Sequence, residues 1–260
     1  MRWLQYSRAG KITVGLIASA LFVFAIWLYT ESKSETSYIW PSFGDVGSAF
    51  ADTWLFENVG SDVVPSLRRM FTGFALAVIA GVAVGFMLGS SSVLDALANP
   101  VVNFLRSIPA AALLPPMIVL FGIGDLTKVA VIAFVCCWPI ILNTRDGVRE
   151  LDSTLLASAS VYGISGVRRF VFIVLPAVSP RIFAGMRISL SIAILLLVTS
   201  EMVASTNGIG YFVFLAQQRF AVDAMWAGVI LLGLLGVVLN FLLSAIERRA
   251  LRWNRSEDPS

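Results

Sequence analysis

Between Ile12 and Ile246 the chain keeps returning to apolar runs about as long as a lipid bilayer is thick. About twenty mostly apolar residues in helical form cross the ~30 Å hydrocarbon core. Within lipid, backbone N–H and C=O groups must find partners inside the fold, which restricts what can span to helices and closed barrels. The runs are Ile12–Tyr29, Met70–Gly89, Leu97–Gly122, Leu126–Asn143, Ile182–Ala204 and Ala224–Ile246. They predict an all-α polytopic membrane protein with about six transmembrane helices. Composition agrees: 58% of the 260 residues are hydrophobic and only 13% are charged, whereas soluble domains carry about a quarter charged residues. The expected division is a tail and first span over 1–30, an acidic external segment over 31–66, and a core over 67–246. That core contains a polar loop at 144–169, and a basic tail occupies 247–260.

Charge sets the orientation. Arg2, Arg8 and Lys11 precede the first run, Arg145, Arg149, Arg168 and Arg169 lie in the polar loop, and Arg248, Arg249, Arg252 and Arg255 lie in the tail. With six spans these share one side, which the positive-inside bias makes cytoplasmic. The other side receives Lys33, Lys128 and Arg219, with Glu31, Glu35, Asp45, Asp52, Glu57 and Asp62. Arg68 and Arg69 run against the trend and read as interfacial residues that snorkel. A signal peptide is the rival reading of Ile12–Tyr29, but the run is long for one and no small-residue cleavage site follows it.

The residue inventory excludes much chemistry. There is no histidine, the commonest general base and metal ligand. Cys136 and Cys137 are neighbours in an apolar run and read as small core residues, with no metal site and no relaxed disulfide. Lysine occurs only at 11, 33 and 128, none within the G-x4-G-K-[ST] pattern that cradles nucleotide phosphates. No catalytic residue, metal ligand or bound cofactor is expected.

Two spans carry internal detail. Gly73, Ala77, Gly81, Gly85 and Gly89 recur every fourth residue, a small-residue face suited to close helix packing in lipid. Leu97–Gly122 is interrupted by Pro100, Pro109, Pro115 and Pro116. Prolines free backbone carbonyls, which membranes tolerate only against protein or a wet cavity; the segment either lines a path or is a kinked packing helix.

One of the few long polar-to-mixed passages is Leu151–Pro176. Asp152 or Ser153 can cap a short helix, and Gly163 can end it in a left-handed conformation. The faces between them are small (Ala157, Ala159, Ser160), so another protein's surface can approach closely. Such a helix is too short and polar to span.

The spacing Ala157-Ser158-Ala159, three residues, Gly163, nine residues, Ile173, one residue, Leu175-Pro176 resembles the EAA loop of ABC-importer permeases, E-A-A-x3-G-x9-I-x-L-P. Ala157 stands where that motif has Glu, and Ser158 where it has its first Ala. Trp40-Pro41-Ser42, Ser66-Leu67-Arg68-Arg69, Arg106-Ser107-Ile108-Pro109, Phe121-Gly122-Ile123-Gly124, Asn143, Gly185, Arg187, Glu201, Gly208-Ile209-Gly210 and Glu247-Arg248-Arg249 extend the resemblance, in order, to the sulfonate, taurine and nitrate branch. The resemblance implies a type I importer fold and a permease, not an enzyme. Its companions would be a second permease copy, a cytoplasmic ATPase holding ATP-Mg, and an external solute-binding protein, in a bacterial inner membrane. It assigns ATPase coupling to Ala157, Ser158, Ala159, Tyr162, Gly163, Ile173, Leu175 and Pro176, and a small anion as solute. Arg106, Ser107, Pro109, Asn143, Arg187 and Glu201 are candidates for the path. Arg106 and Arg187 suit either an anion or an interfacial anchor, and Glu201 either faces the path or pairs with a neighbour such as Arg219. A secondary transporter or channel acting alone is the rival, but no internal repeat or proton relay supports it.

Overall fold

The computed structural model describes residues 41–54 and 58–253, together with Phe24. The expected first span apart from Phe24, residues 31–40 and 55–57 of the acidic segment, and the last tail residues lie outside the described residues. What is described is helical, with no strand: α1 (Phe43–Asp52), α2 (Val64–Ser90), α3 (Ser92–Arg106), α4 (Leu114–Phe121), α5 (Asp125–Arg149), α6 (Ser153–Val161), α7 (Leu175–Ala204), α8 (Ile209–Gln218) and α9 (Val222–Ala250). Four continuous helical stretches are long and apolar enough to cross a membrane. The α3–α4 pair counts as a fifth if taken as one span broken by a 90° bend.

At the centre lie α2, α5 and α7. Met70 and Ala77 of α2, Val131, Ile132, Cys136 and Ile140 of α5, and Leu190, Ala193, Leu196 and Leu197 of α7 form one buried cluster. The α2–α5 seam is built on glycine. A β-carbon on Gly73 would sit 2.8 Å from Ile132, one on Gly81 2.8 Å from Ile140, one on Gly85 2.5 Å from Thr144, and one on Gly89 2.6 Å from Val148. The partner advances by four residues each time the glycine does, so the two helices run parallel, backbone against side chain. Gly185 of α7 meets the Pro139 carbonyl at 2.9 Å in the same sense, closing the third side. Cys136 is a free buried thiol whose carbonyl accepts from the Ser189 hydroxyl at 2.7 Å. By contrast, α9 packs on α1, α7 and α8 and leaves Leu234, Val237, Val238, Phe241 and Leu242 uncovered, as a lipid-facing helix does.

Several boundaries differ from the sequence expectation, each for a physical reason. The second span begins at Val64 instead of Met70 because Pro65 occupies the first helical turn, where its missing N–H costs nothing, and Arg69 is neutralised inside the fold. The fourth extends to Arg149, so residues 144–149 belong to a span and not to the loop. The fifth begins well before Ile182: Gly166–Ala204 is one helical stretch of 39 residues that continues past Pro176 and Pro180. Pro176 sits in the first turn of α7, and a π-helical turn at Phe170–Val174 leads into it. The carbonyl that Pro180 leaves unpaired, that of Pro176, accepts from the Ser179 hydroxyl at 2.6 Å instead. The Leu97–Gly122 segment, in turn, is broken by Pro109 and a 3-10 turn at Ala110–Leu113.

Enlarging a seam glycine forces backbone apart. Gly81→Leu is expected to destabilise the protein by about 1–3 kcal/mol, read as lowered thermal stability in detergent. Gly233→Leu on α9, where nothing lies within 4 Å, should leave it unchanged.

Candidate functional site

Three places carry functional chemistry, the first on the loop between α5 and α7. Helix α6 starts at Asp152, whose carboxylate accepts from the Thr154 N–H at 2.8 Å. It ends in a doubly bonded reversal: the Ile164 N–H donates to Ala159 at 2.9 Å and the Gly163 N–H to Ser160 at 3.1 Å. That closure needs a left-handed residue, and Gly163 has φ +68°, a conformation strained for a residue with a side chain. Of the helix's nine residues only Leu156 and Ala159 are even partly buried. Ala157 and Ser158 face outward, and Val161 and Tyr162 beside them are more than four-fifths exposed. Ile173, Leu175 and Pro176 are half-buried where the chain re-enters the spans. A nine-residue helix with so little support from its own chain presents a small, partly apolar surface to something else.

At the opposite end of the spans lies a buried polar network. Glu201 is fully buried near the end of α7. The Ser66 hydroxyl lies 2.7 and 2.9 Å from its two oxygens, and Arg69 donates to it at 2.8 Å. Arg69, 5% exposed, donates at once to Asp125 at 2.7 Å, to the Asn207 carbonyl at 3.1 Å and to the Asn207 side chain at 2.5 Å. The first N–H groups of α8 are then collected in turn: Gly208 donates to Asp62 at 2.6 Å, Ile209 to Ser66 at 3.0 Å and Gly210 to Glu201 at 3.0 Å. Anionic oxygens facing a helix start are favourable on both hydrogen-bond and dipole grounds. Gly208 has φ +117°, and a β-carbon there would fall inside the Glu201 carboxylate. Reading Arg69 as a snorkelling interfacial residue was therefore wrong, and so was pairing Glu201 with Arg219, which is exposed. The available signal was the cost of an unpaired charge at membrane depth: an arginine inside one span called for a carboxylate inside another.

The third place is the bend between α3 and α4. Arg106 and Ser107 there share a pocket of about 450 Å³ with Trp138, Pro139, Leu142 and Asn143 of α5 and Ile188 and Ile192 of α7. Pro109 follows at the break. Of the remaining path candidates, Arg187 forms an ion pair with Glu247 and Glu201 belongs to the buried network; neither lines this pocket. Further ion pairs tie α3 to α5, Asp95 accepting from Arg145 at 3.3 Å and Arg149 at 2.9 Å. Among the described residues no group of three or more His, Cys, Asp or Glu is placed to hold a metal.

A parallel glycine-seamed core, a bent span and an exposed loop helix make up an all-helical fold suited to a membrane. Residues 70–252 match the family described as binding-protein-dependent transport system inner membrane component, and the chain belongs to that family. It is a membrane-embedded ABC-importer permease, not an enzyme; ATP hydrolysis in such importers belongs to a separate subunit. The bicarbonate transport system permease protein CmpB of Synechococcus elongatus is 33% identical over 86% of this chain and 79% of that protein. The taurine transport system permease protein TauC of Escherichia coli is 29% identical over 79% and 73%. An inward-facing structure of the MetNI methionine ABC transporter superposes with TM-score 0.63 at 20% identity, covering 72% of this chain and 94% of that one. The rival reading, a transporter acting alone, is not favoured.

The Arg69–Glu201 pair has a checkable energetic signature. Arg69→Ala should cost about 3–5 kcal/mol, because it strands the buried Glu201, and Glu201→Ala should cost less, because Arg69 keeps its ion pair with Asp125. The double variant should cost clearly less than the two losses added. Denaturation of the four proteins in detergent checks this.

Proposed function

We propose that this chain acts as one of a pair of identical permeases in a bacterial inner membrane, with both termini and the α6 loop cytoplasmic. A cytoplasmic ATPase carrying ATP-Mg docks on α6, and an external binding protein delivers solute to the opposite end. The observation that carries the reading is α6 itself: a capped, rigidly terminated helix whose own fold covers almost none of it. Nucleotide-driven closure of the ATPase would carry α6 with it and, through Ile173, Leu175 and Pro176, tilt α7 and the core packed on it. Ala157, in place of the motif's Glu, makes this joint one of shape, supported by Val161 and Tyr162 and not by a carboxylate. The clustering of Arg145, Arg149, Arg168 and Arg169 on the α6 side supports its cytoplasmic assignment.

The solute on this reading is a small oxyanion. Relatives named for taurine and bicarbonate transport support that class, and so does the arginine at the α3–α4 bend, where Arg106, Ser107, Pro109 and Asn143 border the path.

Replacing Gly163 tests the joint directly. Gly163→Leu imposes a left-handed conformation on a bulky residue and should reorient the end of α6. In proteoliposomes holding permease, ATPase and binding protein, solute moved per ATP hydrolysed is expected to fall by about tenfold. Normal uptake with normal stimulation of ATP hydrolysis would remove α6 from the coupling role.

A further inference from the structure

The pocket at the α3–α4 bend holds an arginine whose charge no group among the described residues answers. Helix α3 ends at Arg106, which is exposed in the chain taken alone. Trp138 and Pro139 lie roughly halfway along α5, and Ile188 and Ile192 roughly halfway along α7, which sets the pocket about midway through the spans. At that depth a cation is tolerated only against water, protein or a counter-charge. The one hydrogen bond of Arg106 is from Nε to the Asn103 side chain at 3.1 Å. It forms no ion pair among the described residues, so its two terminal nitrogens are left without a protein acceptor. No carboxylate lines the pocket.

Its other polar groups add donors. Asn143 spends one amide hydrogen on the Pro139 carbonyl at 2.8 Å and keeps the second. Trp138, in the wall, carries a buried indole N–H with no acceptor. Leu142, Ile188 and Ile192 supply apolar surface for a short carbon body. This donor excess around a planar guanidinium fits an oxyanion, which accepts two parallel N–H bonds. A metal cation or a neutral sugar would leave Arg106 uncompensated.

We propose that this pocket is a transit site for a small singly charged oxyanion, sulfonate or carbonate in kind, held by the Arg106 terminal nitrogens with Asn143 beside them. The site deepens the transport reading above and rests on it for its purpose, but its electrostatics can be measured without any transport. Ser107, whose hydroxyl is engaged by the Asn103 carbonyl at 2.6 Å, places a reporter beside the arginine. In membranes containing the assembled permease and ATPase, Ser107→Cys is labelled with a sulfonate-bearing methanethiosulfonate and with its trimethylammonium counterpart. The unsubstituted chain gives the background from Cys136 and Cys137.

With each rate divided by that reagent's rate with a free thiol in solution, the anionic reagent is expected to react about tenfold faster or more than the cationic one, because the uncompensated Arg106 charge concentrates anions at the pocket. Arg106→Gln should abolish that preference and Arg106→Lys keep it. Methanesulfonate, and separately bicarbonate, should slow labelling while Arg106 or Lys is present; protection by one alone assigns the site to that headgroup. Equal rates with both reagents, failure of both anions to protect, or a preference unchanged by Arg106→Gln would each overturn the proposal. If Arg106→Gln does not assemble, the reagent ratio and anion protection in Ser107→Cys alone decide. ATP-driven uptake of labelled taurine or bicarbonate by the unsubstituted complex is a separate arm. Its absence strikes the transport reading and leaves the thiol results to judge the pocket.

Discussion

The buried pair of Arg69 and Glu201 is the constraint on which the rest of the molecule leans. Each charge alone would be prohibitive where it sits. Together, and with Ser66, Asn207 and the first N–H groups of α8 filling the remaining hydrogen-bonding sites, they fix four elements at one end of the bundle. The pair ties the start of α2 to the end of α7, Asp125 adds the start of α5, and Gly208 to Gly210 bring in α8. From that pinned end the glycine seam runs down α2 and α5 toward the other. The core is therefore stiff along its length, and the flexible joints lie elsewhere.

They lie where proline and glycine interrupt helices without a replacement bond. Within α7 the Ser179 hydroxyl takes up the carbonyl freed by Pro180, and the helix continues. At Pro109 the chain turns instead through a 3-10 segment, and α3 and α4 meet at 90°. That bend exposes the last turn of α3 and so places Arg106 against the middle of α5 and α7. Residue type alone does not decide whether a proline bends a span: Pro139 lies inside the continuous α5 and Pro180 inside α7, whereas the chain turns at Pro109.

This explains what could be read from the chain before any coordinates. The apolar runs carry the all-helical membrane fold, because hydrocarbon leaves a span few alternatives. The Asp152 and Gly163 positions mark the ends of a short helix, because caps are local. Span ends were harder to see: Pro65 and Pro176 resemble breaks but sit in first turns, where proline is at home. Helix α8 is apolar but only 10 residues long, too short to read as a span, and it is held by Asp62 and Ser66 from far away in sequence. The Arg69–Glu201 contact joins positions 132 residues apart, and no local pattern encodes that; only the requirement that a buried charge be answered points to it. For the candidate site, the bend was legible as a proline cluster, whereas its meeting with Asn143 and Ile188 is a product of tertiary packing.

The energies also say where motion driven at α6 would be absorbed. Moving a two-state transporter from almost wholly one conformation to almost wholly the other takes about 5.5 kcal/mol of differential nucleotide affinity. Breaking a buried charge pair costs about 3–5 kcal/mol, so a stroke that opened the Arg69–Glu201 network would dissipate most of its drive there. Parting the glycine seam would uncover packed backbone that lipid cannot satisfy as closely. The cheap displacement is rearrangement at the α3–α4 bend, where no charge pair among the described residues crosses the pocket. On the proposed reading, a push on α6 would thus be carried by the α2–α5–α7 core as one body and spent at the bend, beside Arg106.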